Sequence, residues 1–107
     1  MSDLHKIDFV NPVFHSGLNI TVRHGDRWVH LARLGDRLQI DGHDGMIEAP
    51  LTGMLYTDLR NIPEGILPLE HDEDARSPAG LKRILDEIYG PTDTGERMVT
   101  VLFFTID

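Results

Sequence analysis

The segment SPAGLKRILDEIYGP, residues 77–91, is the clearest helix in this chain, and its isolation limits what the rest can build. Leu81, Ile84, Leu85 and Ile88 recur at i, i+3, i+4 and i+7, which gathers them into one apolar stripe. Lys82/Asp86 and Arg83/Glu87 form i,i+4 pairs on the opposite face. Ser77 stands where an N-cap is needed and Pro78 at the first helical position, while Gly90 and Pro91 stop the helix, so the spacing predicts a helix over about 78–89. From Trp28 to Tyr56 the chain alternates short apolar runs with Gly-Asp and Asp-Gly breaks, the rhythm of a β-meander. Within it, LGDRLQIDGHDGMIEA reads as strand, connection over residues 41–45, and strand, with Leu38, Ile40, Met46 and Ile47 as packing candidates. Pro50 lacks a ladder donor and marks a bulge or an edge. In TDLRNIPEGILPLEHDEDAR, Asp58 caps a single helical turn, and Pro63, Gly65 and Pro68 forbid a long helix. RMVTVLFFTID is apolar on both faces and reads as a central strand covered on both sides. Short strands around one amphipathic helix predict an α+β fold, a small, curved, mainly antiparallel β-barrel with one main helix and short helical turns, over a single domain of residues 1–107.

Charge narrows the partners. The 107 residues carry ten basic and eighteen acidic side chains, for a net charge of −8. Residues 1–40 hold five basic and four acidic groups, so residues 41–107 hold five against fourteen. That balance argues against broad nucleic-acid coating, which needs many unopposed phosphate contacts, and gives little support for a duplex-DNA partner. It leaves room for one local Arg-bearing pocket. The chain has no cysteine, which excludes disulfides, thiolate metal sites and a Cys nucleophile. His24, His30, His43 and His71 lack the spacing of a zinc signature, so no metal or cofactor is expected. With no apolar run long enough for a membrane helix and no signal-peptide pattern at the start, the expectation is a cytoplasmic protein without a membrane partner.

The stretch SGLNITVRHGDRW, residues 16–28, holds the main functional candidates. Ile20 and Val22 alternate with Thr21 and Arg23, so the polar pair shares one face of a strand. Arg23 offers a planar fork of donors suited to a phosphate or a base oxygen. His24, Arg27 and Trp28 flank the Gly-Asp turn, with Trp28 as either a core anchor or a stacking platform for a base. Tyr56 is a further candidate for the pocket mouth. In the acidic run EHDEDAR, Asp74 is the residue expected to point back toward Thr21, as an acid/base group or an acceptor for an amino group.

These elements, in this order, resemble the ASCH family, small domains with a β-barrel of the PUA type. Its opening signature, Gly-x-Lys-x-x-Thr-x-Arg followed by a Gly-Asp, is matched by Gly17, Thr21 and Arg23 and by Gly35-Asp36, and LKRILDEIYG with VTVLFF resembles the end of bacterial members. The resemblance implies a cleft for a nucleoside, nucleotide or single-stranded RNA segment beside the Thr-x-Arg strand. One branch hydrolyses the amide of N4-acetylcytidine with a Thr, a Lys and a Glu. Thr21 matches the Thr and Asp74 stands at the Glu, which makes them the catalytic candidates. Leu18 and Asn19 fall where the Lys would be, and the only lysines are Lys6 and Lys82. Binding without efficient turnover is therefore expected, since a Thr hydroxyl needs an adjacent base. The alternative from another class is a non-enzymatic protein-interaction module that meets a basic partner through the acidic C-terminal two-thirds.

Overall fold

The computed structural model describes residues 3–9, 11–42, 45–92 and 96–107. Five strands, β1 (Leu4–Ile7), β2 (Gly17–His24), β3 (Arg37–Gly42), β4 (Gly45–Asp58) and β5 (Met98–Ile106), form one mixed sheet in the order β1-β3-β4-β5-β2. Two α-helices, α1 (Arg27–Leu31) and α2 (Pro78–Tyr89), and three 3-10 turns at Leu59–Asn61, Glu64–Leu69 and Glu73–Ala75 complete the α+β fold.

The sheet is open, which differs from the expected barrel. β1 and β2 stand at its two ends, and β1, with only four residues, runs parallel to β3. The free side of β2 is covered instead by the segment after the second 3-10 turn, where Ile20 bridges Glu70 and His71 N donates to Ile20 O at 3.1 Å. Covering an edge in this way hides its unpaired backbone groups.

Curvature comes from β4. Its first part pairs with β3 as far as Pro50, and from Leu51 onward it pairs with β5, with a register shift between Leu51 and Gly53. Pro50 thus falls where the strand changes partners, a place where a missing donor costs little. Of the expected packing residues, Leu38 and Ile40 are buried and Ile47 is partly buried against the core, but Met46 points to solvent. His43 and Asp44 of the expected connection lie outside the described residues.

β5 is the central strand that its composition predicts, and it divides two cores. Leu102 and Phe104 join Ile7, Trp28, Leu38, Ile40 and Leu51 on one side. Val99 and Val101 join Ile20, Val22, Leu67, Leu81 and Leu85 on the other. The alternation along one strand supplies both faces. α2 covers the second core. Ser77 Oγ accepts from Gly80 N at 3.0 Å, Leu81 and Leu85 are buried, and Lys82 pairs with Asp86 at 2.8 Å. The stripe ends early, because Ile88 is exposed, and among the described residues Arg83 and Glu87 form no ion pair.

Two elements depart from the meander reading. RWVHL forms α1 rather than a strand, entered through Gly25 at φ 79. β1, which the sequence reading did not anticipate, is fixed by Asp36: this carboxylate accepts from the backbone N of Asp3 at 3.1 Å and of Arg33 at 3.0 Å, and pairs with His5 Nε2 at 2.8 Å. Those bonds hold it well below the usual carboxylate range, at about 2.

Candidate functional site

A cavity of about 540 Å³ lies beside β2, bounded by the segment from Glu70 to Ala75, the apolar face of α2 and the chain around Phe9. Its size falls in the range of small-molecule sites. Strand β2 delivers Thr21 and Arg23 to it, as the two-residue period requires, but the strand has no solvated face: Asn19, Ile20, Thr21 and Val22 are all buried. Arg23 Nε donates to Thr21 Oγ1 at 3.1 Å, and its guanidinium lies 4.6 Å from the centroid of the Phe9 ring. Among the described residues no carboxylate lies within ion-pair distance of Arg23, and desolvation lowers its pKa.

Asp74 also contributes to the lining, yet it is exposed, and its backbone N is turned toward Asp72 Oδ1 at 3.0 Å. The carboxyl buried beside β2 is Glu70, four positions earlier, which the bridge to Ile20 pins in place. Its Oε1 lies 3.1 Å from His71 Nε2, and its Oε2 is buried with no hydrogen-bond partner. His71 Nδ1 donates to the Val13 carbonyl at 3.1 Å, and the ring sits against Phe9 and Phe14 at 4.8 and 5.3 Å. A carbonyl can only accept, so Nδ1 carries a proton and Nε2 faces the carboxyl. Nε2 stands within ion-pair distance of Oε1, which accepts the Asp72 main-chain N–H at 3.5 Å. Burial favours the neutral form of both partners, pushing Glu70 up to about 8 and His71 down to about 4.

The other sequence-derived candidates do not meet at this cavity. Trp28 is 8% exposed in the first core, edge-on to His5, so it anchors packing and offers no stacking face to a base. Arg27 is exposed at the start of α1, and Tyr56 is exposed on β4 opposite Thr100. His24 is exposed and stands over Tyr89, with Nδ1 3.0 Å from Arg97. Tyr89, at the end of α2, and Phe9 supply the aromatic lining expected of Trp28 and Tyr56. The described histidines do not converge: the one group of potential metal ligands among the described residues is Asp3, His5 and Asp36, already engaged in the bonds that fix β1. His43 lies outside the described residues.

Sequence reasoning passed over Glu70, which opens an acidic run that reads as a hydrated loop, and weighed His71 only as a metal ligand. The available signal was the Leu67–Leu69 apolar spacing just before them, which carries the chain into the core. Comparison with protein-family models, with curated proteins and with solved structures finds no match.

Proposed function

We propose that this chain is an ASCH-like domain, its curved sheet a variant of the PUA-type barrel, that binds a nucleoside, nucleotide or single-stranded RNA segment in the cavity beside β2. The observation that carries the reading is Arg23: a partly buried guanidinium with no carboxylate within ion-pair distance among the described residues, set next to the Thr21 hydroxyl in a cavity of about 540 Å³. Such a cation favours a ligand that brings a phosphate or a polarised carbonyl oxygen. Phe9 and Tyr89 line the same space and offer apolar surface to a base. The cytoplasm suits a chain without cysteine.

Binding is favoured over amide hydrolysis. The described partner of Thr21 Oγ1 is Arg23, a cation that cannot accept the hydroxyl proton, and Leu18 occupies an exposed position where the family's Lys would stand. An alkoxide at Thr21 therefore lacks its base. Calorimetric titration with cytidine, cytidine 5′-monophosphate and N4-acetylcytidine tests the reading, with chromatography of the last mixture for released cytidine. Binding that disappears in Arg23→Ala, without release of cytidine, is the expected result. No binding by any of the three rejects nucleoside recognition, and cytidine release abolished by Thr21→Ala makes the protein a hydrolase.

A further inference from the structure

Glu70 and Arg23 line one cavity, carry opposite formal charges when both are ionised, and yet do not form an ion pair. Among the described residues, neither has an oppositely charged side chain within ion-pair distance, the His71 ring beside Glu70 being neutral. Arg23 spends its Nε on Thr21 and lies against the Phe9 ring. Glu70 turns Oε1 to the Asp72 main-chain N–H and sits beside Nε2 of His71, whose orientation Val13 fixes from behind. We propose that the proton on the Glu70 carboxyl sets the charge of the ligand that this cavity accepts: with the proton in place Arg23 takes an anionic group, and with it gone the Glu70 carboxylate serves as counter-ion to Arg23 and expels the anion. The ligand of this scheme rests on the nucleotide reading, whereas the proton linkage does not.

The Val13 carbonyl keeps a proton on His71 Nδ1 and burial keeps the ring neutral, so Nε2, 3.1 Å from Oε1, offers the Glu70 carboxylate no positive charge. Removing the Glu70 proton leaves a net negative charge in the interior, with Oε2 unpartnered. Around Glu70, the Asp72 main-chain N–H at 3.5 Å from Oε1 favours that charge and the Asp72 carboxylate opposes it, while Arg23 from β2 and Arg76 favour it. Arg76 directs its Nε to the Glu70 main-chain oxygen at 2.8 Å, and so does not pair with the carboxyl. Facing Arg23 from the other walls are Asp8 and, from α2, Tyr89, with Glu87 also in the lining. Arg23 is thus the cation through which both an incoming anion and the Glu70 carboxylate gain. Two anions competing for one buried cation are thermodynamically coupled, so the anion binds with uptake or retention of a proton. The burial that pushes Glu70 up to about 8 puts the transition within reach of ordinary buffers.

The test titrates the protein with sulfate, cytidine 5′-monophosphate and cytidine by calorimetry from about pH 7 to about pH 9.5, a range in which sulfate and cytidine keep their charge and the nucleotide phosphate, with its second pKa at about 6, is predominantly dianionic. Near the middle of the range, two buffers of unlike ionisation enthalpy count the protons taken up. Affinity for both anions should fall roughly tenfold or more across the range, with proton uptake on binding, while that for cytidine stays constant. Glu70→Gln, whose amide is a neutral isostere of the protonated carboxyl, should bind the anions with equal affinity at both ends. Anion affinity independent of pH in the unaltered protein, or an undiminished decline in a Glu70→Gln variant that melts normally, overturns the proposal. Proton uptake in the unaltered protein decides the matter even where the variant fails to fold. If sulfate shows the linkage and neither nucleoside compound binds, the nucleotide reading fails and the proton linkage stands. Failure of both anions to bind at about pH 7 overturns both.

Discussion

At the scale of single residues, burial separates what a side chain could do from what it does here. Trp28 has the aromatic area of a stacking platform, but its neighbours are Leu38, Ile40 and Phe104, with His5 edge-on. Trp28→Ala should therefore cost roughly 3–5 kcal/mol in denaturant unfolding, as large aromatic truncations in cores do. Where the variant remains folded, it should bind ligand as the unaltered protein does; lost affinity at unchanged stability would return Trp28 to the site. Arg23 is the converse case. Its removal takes away a cation with no carboxylate in ion-pair distance among the described residues, so Arg23→Gln should leave stability within about 1 kcal/mol of the original, or raise it, because a buried unpaired charge is itself unfavourable. A thermal melt alongside the binding titration separates the two effects.

At the scale of elements, α2 and the acidic segment before it behave as one piece. Gly80 lies in the first turn of the helix, and a Cβ built there would stand 2.1 Å from the Asp74 carbonyl oxygen, a backbone atom with no easy way to withdraw. Gly80→Ala should destabilise by about 1–3 kcal/mol, the range of overpacked sites, although alanine is the better helix former. Since the collision is with the segment that carries Glu70 and Asp74, ligand affinity should fall as well; a more stable variant would show that the close approach does not exist in solution. Leu85→Asp should unfold the protein, with a cost of roughly 4 kcal/mol or more, whereas Arg83→Asp on the outer face stays within about 1 kcal/mol. Equal melting temperatures would mean the helix face is misassigned. These elements also mark how far the sequence could be read. The helix over 78–89, the Asp58 and Ser77 caps and the central β5 were legible because each rests on local spacing. The pairing of Thr21 with Arg23 on one face of β2 was legible for the same reason. Glu70 was not, because its role depends on the bridge to Ile20, a contact remote in sequence inside a run of acids without period. α1 and β1 were missed on similar grounds: RWVHL is too short to display a helical stripe, and β1 is held by a carboxylate from another element.

At the scale of the whole molecule, the paired groups beneath the cavity shape how stability depends on pH. Glu70, pushed up to about 8, keeps in the folded state a proton that the unfolded chain releases near 4.5. Its contribution is complete below about 4.5 and is lost as pH rises to about 8. His71, pushed down to about 4 from 6.5, runs the other way: its contribution is complete above about 6.5 and is lost as pH falls to about 4. Between about 4.5 and 6.5 the unfolded chain holds the imidazole proton and the folded chain the carboxyl proton, so the two slopes cancel. Asp36, held at about 2 from 3.8, adds a further loss only as pH falls below about 4. The expected profile is a plateau over mildly acidic pH and a decline from about 6.5 to about 8. At about 1.4 kcal/mol per pH unit for one proton, that decline amounts to roughly 2 kcal/mol. Urea unfolding at intervals from about pH 4 to pH 9 measures it, and Glu70→Gln should flatten the alkaline limb while leaving the acid limb in place. Stability that rises or stays level between about 6.5 and 8 in the unaltered protein would mean that Glu70 is ionised in the folded state, with Arg23 as its partner, and the cavity would then have no unpaired cation to offer a ligand.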